Sequence, residues 1–164
     1  MLEEHVYISL GSNKGARRQM LAAAAKQLIF SGNRIIKESL VYETAPWGKS
    51  EQPAFLNQVL QIGTLLRPAD LMSSLLKIES QLGRIRGTEK WLERPIDIDI
   101  LFYGSSVVAE ERLNIPHPEL QNRRFVLIPL VEIAPDFIHP VFKKPVFELL
   151  RECKDILEVK VLRG

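Results

Sequence analysis

The hydrophobic positions change period several times along the chain, and each change marks an element. Val6-Tyr-Ile-Ser-Leu10 is a short apolar run stopped at Gly11-Ser12-Asn13, the pattern of a buried strand. From Arg17 to Phe30 the pattern is helical, with consecutive alanines favouring a helix and Gly32-Asn33 ending it. Residues 35 to 44 have strand composition, and Pro46-Trp47-Gly48 opens a loop that runs to Pro53. Phe55 to Leu65 reads as a further strand, a candidate partner for the one before it. Arg67-Pro68-Ala69-Asp70 begins a second helix with proline in its first turn. Leu71, Leu75, Ile78 and Leu82 then recur at helical spacing until Gly83 stops them. The stretch from Arg84 to Pro95 is charged and aperiodic, whereas Ile96 to Phe102 alternates apolar with acidic residues as a strand does. After it come a Pro-His-Pro turn at Pro116 to Pro118, a helical segment over Phe125 to Ala134, a short helix near Pro145 to Cys153 and a last short strand over Leu157 to Leu162.

The order strand, helix, strand, strand, helix, strand is the split βαβ pattern of an α+β, ferredoxin-like core with a mainly antiparallel sheet, helices packed on it and C-terminal additions. That order alone carries no function. A length of 164 residues fits one domain with a proper core, spanning residues 1–164. Hydrophobic residues at 46% and charged residues at 26% are ordinary for a globular protein. The net charge of +2 excludes a chain-wide attraction to nucleic acid or anionic lipid, so any anion site must come from local clusters. The lone Cys153 excludes an intramolecular disulfide and a cysteine zinc site, and fits a reducing compartment. The acidic start, Met1-Leu-Glu-Glu-His, lacks the pattern of a signal peptide, and the longest apolar run, Phe125 to Ala134, is interrupted by Pro129 and Glu132. The expectation is a cytoplasmic protein with no membrane partner.

Strand side chains alternate faces, so Asp97 and Asp99 share one face while Ile96, Ile98 and Ile100 point into the core. Two adjacent carboxylates repel unless something positive sits between them. Magnesium suits that position because it takes one or two carboxylates and leaves its other sites to water and phosphate oxygens. Taken alone, the pair fits a solvated strand face with two incidental aspartates better than a metal site. Its flanks shift the balance: Arg84, Arg86, Lys90 and Arg94 precede it, and Arg112, His117, Arg123 and Arg124 follow. Acids that hold a metal, a metal that bridges phosphate oxygens and arginines that neutralise the remaining charge are the parts of a metal–triphosphate site. The basic stretch equally fits an exposed loop, and such a loop can close over a nucleotide. Trp91 within it either covers a base or anchors the loop. Glu79, late in the second helix, reads by default as an exposed helical glutamate. Gly11-Ser-Asn-Lys-Gly15 lacks the G-K-S/T ending of a phosphate-binding loop and reads as a turn, and the protein-kinase motifs are absent.

The run Arg94-Pro-Ile-Asp97-Ile-Asp99-Ile-Leu101 closely resembles the signature of the 6-hydroxymethyl-7,8-dihydropterin pyrophosphokinase family of folate synthesis. The resemblance extends to Tyr7-Ile-Ser-Leu-Gly-Ser-Asn13, Tyr42-Glu-Thr-Ala-Pro46, Gln52-Pro-Ala-Phe-Leu-Asn57, Ile78-Glu79 and Gly83-Arg-Ile-Arg86. It continues through Ile115-Pro-His-Pro118, Arg123-Arg-Phe-Val126 and Pro129-Leu-Val-Glu-Ile-Ala-Pro135. Each motif alone is weak; their number and order are not.

The resemblance implies that the β,γ-pyrophosphoryl group of ATP passes to the hydroxymethyl oxygen of the dihydropterin and that AMP leaves. It implies a pair of magnesium ions held by Asp97 and Asp99. Arg84, Trp91, Arg94, Arg112, His117 and Arg123 match positions around ATP or its phosphates, and Glu79 and Ile100 match positions near the nucleoside. For the pterin, Asn57 matches the side chain that hydrogen-bonds the ring, Phe55 and Phe125 match the aromatics that sandwich it, and Thr44, Ala45 and Trp47 match a loop that meets it through backbone. These residue types suit a pterin, because a flat heterocycle between aromatic faces gains stacking and an amide offers both donor and acceptor. Read without the resemblance, Phe55 and Phe125 fit core packing, Asn57 an outward-facing strand residue and His117 a turn residue. Positioning and charge neutralisation drive phosphoryl transfer, so no strong general base is expected, and Arg84 and Arg94 are the candidates for transition-state stabilisation.

The chain departs from the family pattern at Leu92, where glycine is usual, and at the following Glu93. Ala45 replaces a frequent proline, Trp47 replaces a smaller apolar residue, and Leu76 lies where some members carry a polar residue facing ATP. Rival readings are a ferredoxin-like RNA-binding module and a magnesium-dependent nucleotidyltransferase with another acceptor. The acid pair opposes the first, because without metal it repels phosphate. The expectation is a stand-alone monomer acting on small molecules, with no nucleic-acid partner.

Overall fold

A computed structural model describes residues 2–45, 53–83 and 95–163. The chain forms β1 (Glu4–Ser12), α1 (Arg17–Phe30), β2 (Arg34–Glu38), β3 (Tyr42–Thr44), β4 (Phe55–Thr64), α2 (Pro68–Gln81) and β5 (Asp97–Tyr103). It continues with β6 (Val108–Glu110), β7 (Leu113–Ile115), α3 (Arg124–Ile133), α4 (Val146–Glu152) and β8 (Val159–Val161). Among the described residues six strands form one sheet in the order β5-β1-β4-β3-β8, with β2 also on β4, and every pairing is antiparallel. Both β1 and the β2–β3 segment run antiparallel to β4, so they are parallel to each other with β4 between them. This is the expected split βαβ arrangement.

The differences from the sequence pattern are local. β1 does not stop at Leu10 but runs through Gly11 to Ser12, because these residues pair with Asn57 and Leu56 of β4. The segment 35–44 is two strands, not one. Ser39 interrupts it: its N–H donates to the Val59 carbonyl at 2.9 Å, and its Oγ accepts from the Val59 N–H at 3.0 Å. The β6–β7 hairpin has no counterpart in the sequence pattern, since its three-residue strands are too short to show a period.

One face of the sheet buries Val6, Ile8 and Leu10 of β1, Leu56, Leu60 and Ile62 of β4, and Ile98 and Ile100 of β5. They pack against Leu21, Ala24 and Leu28 of α1 and Leu71, Leu75 and Ile78 of α2. Each of the Val, Leu and Ile side chains among them contributes about 1.5–3 kcal/mol on burial. On the other face Tyr7, Val59, Leu101 and Phe102 meet Val126, Leu127, Leu130 and Ile133 of α3 and Val146 and Leu149 of α4. A bulge between Tyr7 and Ile8 opposes Tyr7 to Phe102 and Ile8 to Ile100, which lets Leu101 and Phe102 both serve this second core. Neither core takes in the residues of this second face nearest one sheet end, Gly11, Phe55, Asn57, Asp97 and Asp99. No described helix is long and apolar enough to cross a membrane.

Candidate active site

Strand register brings the sequence-predicted residues together. Gly11 of β1 lies opposite Asp97 on one side and Asn57 on the other, and Asn57 in turn faces Tyr42. One row across four strands therefore reads Asp97, Gly11, Asn57, Tyr42. The adjacent row reads Asp99, Ser9, Val59, and Thr44 faces Phe55. Residues directly opposite share a face. The two carboxylates, the Asn57 amide, the Phe55 ring and Thr44 thus project from one side of one sheet end. The alternation expected for β5 holds: Ile96, Ile98 and Ile100 are buried, while Asp97 and Asp99 are half-buried.

Gly11 is the floor between the two halves of this group. A Cβ there would stand 3.2 Å from Asn57 Nδ2, 3.8 Å from Phe55 Cδ1 and 3.9 Å from Asp97 Cβ. Gly11 is thus not the turn residue that the local sequence suggests. A glycine inside an apolar strand is the signal that marks such a close approach.

Asn57 is 7% exposed and Thr44 is 2% exposed, so the outward-facing reading of Asn57 does not hold. Asn57 Oδ1 and Thr44 Oγ1 are buried without a hydrogen-bond partner among the described residues. A buried, unpaired polar atom costs about 1–3 kcal/mol, a cost that a polar ligand able to donate to these oxygens would remove. Phe55 is half-buried and outside both cores, against the core-packing reading. Ala45 is exposed at the end of β3. Tyr42 is anchored away from the row, donating to Glu132 Oε1 at 2.6 Å; burial and that carboxylate push its phenol up to about 12.

The start of α3 and the turn before it carry further sequence-predicted residues. Phe125 lies in its first turn, half-buried against the second core, and the Arg123 guanidinium sits 5.8 Å from the centre of its ring. His117 follows the cis Ile115–Pro116 peptide and donates its backbone N–H to the Leu101 carbonyl of β5 at 3.0 Å. Its Nδ1 accepts the Glu119 N–H at 3.1 Å, which leaves the ring proton on Nε2. Burial first, and then the charge of Arg123, push His117 down to about 4, against smaller opposing effects of Glu119 and Asp97. His117 is therefore a neutral imidazole at pH 7, a rigid single donor close enough to feel both Arg123 and Asp97.

Glu79 is the clearest correction. It is 2% exposed, and its Oε2 accepts the Ile98 N–H of β5 at 2.7 Å, which ties α2 to the sheet edge beside the acid pair. Ile100 buries its side chain in the first core, so what it offers a ligand comes from its backbone on the edge strand. Arg112 is exposed in the turn between β6 and β7, and β7 lies against β5. Trp47, Arg84, Trp91 and Arg94, with Leu92 and Glu93, lie outside the described residues.

The described residues contain no group of three or more candidate metal ligands. The paired carboxylates of Asp97 and Asp99 still fit magnesium, a hard cation that takes few protein oxygens and completes its octahedron with water and phosphate. Opposite them on β1 stand only the small residues Ser9 and Gly11.

Residues 7–135 match the model of the family described as 7,8-dihydro-6-hydroxymethylpterin-pyrophosphokinase (HPPK). Relatives named 2-amino-4-hydroxy-6-hydroxymethyldihydropteridine pyrophosphokinase include one from Methylorubrum extorquens, 45% identical over 80% of this chain and 84% of its own. Another, from Haemophilus influenzae, is 38% identical over 94% of this chain and 96% of its own. The "Folic acid synthesis protein fol1" of Pneumocystis carinii is 44% identical over 84% of this chain, which spans only 18% of that larger protein. The fold is that of a crystal structure of Plasmodium falciparum HPPK-DHPS, with TM-score 0.72 at 16% identity, covering 92% of this chain and 45% of that one.

Proposed function

We infer the reaction from kinship and site together: the chain belongs to the 7,8-dihydro-6-hydroxymethylpterin-pyrophosphokinase family. It transfers the β,γ-pyrophosphoryl group of ATP to the hydroxymethyl oxygen of 6-hydroxymethyl-7,8-dihydropterin in folate synthesis. The new bond joins that oxygen to the β-phosphorus, the bond to the α-phosphate oxygen breaks, AMP leaves and the hydroxyl proton is released. The observation that carries this reading is the row Asp97, Gly11, Asn57, in which an acidic half and an amide half share one floor.

Asn57 binds the edge of the pterin ring through its unpaired buried Oδ1, and Thr44, beyond the backbone contact that the resemblance implies, offers its own unpaired Oγ1; both oxygens accept ring N–H groups. Phe55 and Phe125 stack on its faces, with the backbone at Ala45 and Trp47 completing the pocket. Asp97 and Asp99 hold two magnesium ions, which when bound neutralise phosphate charge and orient the acceptor hydroxyl. Arg112, Arg123 and the Nε2–H of His117 meet the phosphates; Glu79 and the Ile100 backbone lie toward the nucleoside at the sheet edge. Arg84 and Arg94 stabilise the charge that develops on the transferred group, and Trp91 covers the nucleotide. The acceptor oxygen is then held in line with the β-phosphorus, and such positioning is where most of the acceleration in phosphoryl transfer lies.

The test is product analysis with magnesium, ATP and the dihydropterin. AMP should form only when the pterin is present. ADP as product, or nucleotide release without pterin, would refute the reading. Asp97→Ala and Asp99→Ala should each remove most turnover while circular dichroism stays native; full turnover in either would take that residue out of the metal site.

A further inference from the structure

The first turn of α1 contains a charge that the helix itself disfavours. Arg17 and Arg18 open it, its first turn has no acidic residue, and the Ala16 cap makes no side-chain hydrogen bond. A cation at a helix N-terminus opposes the macrodipole, so Arg17 is not there for the helix. Its guanidinium reaches across to the sheet. Nη1 donates to the Ala54 carbonyl at 2.6 Å and lies 3.6 Å from Glu43 Oε2, and both side chains are less than one-third exposed. Asn13 Nδ2 adds a bond to the Pro53 carbonyl at 3.3 Å.

These contacts fall on a weak point. β3 has only three residues, and Thr44↔Phe55 is the last pair it makes with β4. Ala54 immediately precedes Phe55, and Glu43 sits between Tyr42 and Thr44. Arg17 therefore grips, from the α1 side, the residue next to each member of the terminal ladder pair, one residue away from the side chains that project on the opposite face. The carbonyls of Pro53 and Ala54 lie just outside β4, where no ladder bond is expected to hold them. A charge-assisted bond to a carbonyl is stronger than a neutral one, so Arg17 is the firmer of the two ties.

We propose that Arg17 is a positioning residue: by clasping Ala54 and Glu43 it sets the placement of Thr44 and Phe55, and so governs pterin affinity without touching the pterin. The proposal rests on the pterin placement given above. It assigns Arg17 to the pterin half of the site alone, because among the described residues the Arg17 contacts are to Ala54 and Glu43 and none is to Asp97, His117 or Arg123.

The experiment measures binding of 6-hydroxymethyl-7,8-dihydropterin and, separately, of magnesium with a non-hydrolysable ATP analogue. Wild type, Arg17→Met, Arg17→Lys and Asn57→Ala are compared, each with a thermal melt. Arg17→Met keeps the apolar stem and removes the donor; it should weaken pterin binding roughly five- to tenfold and leave the nucleotide constant unchanged. Arg17→Lys, which retains a charged donor, should recover part of the loss. Wild-type pterin affinity in a folded Arg17→Met refutes the clasp, and so does an equal loss of pterin and nucleotide affinity. If Asn57→Ala binds pterin like wild type, the pterin placement fails and the proposal falls with it. If Asn57→Ala weakens binding and Arg17→Met does not, the placement stands and the clasp alone is wrong.

Discussion

Replacing Gly11 with alanine should move ligand binding and stability in opposite directions. The added Cβ stands 3.2 Å from Asn57 Nδ2, tighter than ordinary contact, but 3.8 Å from Phe55 Cδ1 and 3.9 Å from Asp97 Cβ, where nothing need shift. The Asn57 amide must give by a few tenths of an ångström, enough to spoil one hydrogen bond to the pterin. A neutral hydrogen bond is worth about 0.5–1.5 kcal/mol net, so the pterin KM should rise roughly three- to tenfold. The ATP KM should stay put, since the acid side is in ordinary van der Waals contact. Among the described residues the glycines with positive φ are Gly15, Gly32, Gly83 and Gly104, and Gly11 is not one of them. Alanine therefore fits the backbone and narrows the unfolded ensemble by about 0.4–1 kcal/mol. Against the small clash, the Tm should hold or rise by up to about 4 °C for a chain of this size. Steady-state kinetics with each substrate varied, alongside calorimetry, gives all three quantities. An unchanged pterin KM in a stable variant refutes Gly11 as the floor beneath Asn57. A parallel rise in both KM values refutes the division of the site into two halves.

Other outcomes follow from single contacts. Glu79→Ala removes the acceptor of the buried Ile98 N–H and should cost about 1–3 kcal/mol, a Tm drop of a few degrees, whereas Glu79→Gln keeps a carbonyl acceptor and should recover most of it. Equal melts for both variants and wild type would show that the bond contributes nothing to stability. His117 has a folded pKa of about 4 against an ordinary 6.5, so as pH falls below 6.5 the unfolded chain takes up a proton before the folded one. Stability that is complete above pH 6.5 is therefore lost toward pH 4, by up to about 1.4 kcal/mol per pH unit. In urea titrations at pH 7 and pH 5, His117→Gln should show the smaller pH dependence; an identical dependence in both proteins would contradict the neutral imidazole.

The helices are legible in the sequence because their patterns are local. The Leu71, Leu75 and Ile78 spacing and the proline at Pro68 place α2 within a residue or two of where it lies, and the alanine run does the same for α1. Glu79 shows the limit of that kind of reading. One residue beyond Ile78 on a helix looks like a solvated position, and only the docking of α2 beside the edge of β5 buries it against the Ile98 N–H. Gly11 shows the same limit from the other side. Its breaker chemistry is local, but β4 pairs with it and carries β1 onward to Ser12.

By itself the sequence determined the period of each main element, the shared face of Asp97 and Asp99, and the motifs that mark the family. All of these are properties of neighbouring residues: strand alternation, helical spacing and short signatures need no distant partner. Tertiary structure alone decided that Gly11 separates Asp97 from Asn57, that Glu79 is buried and that His117 stays neutral beside Arg123. It also decided that Arg17 of α1 grips the β3–β4 end. Each of these joins residues that are distant in the chain or set by an environment, and strand register, helix docking and burial act only once the sheet has formed.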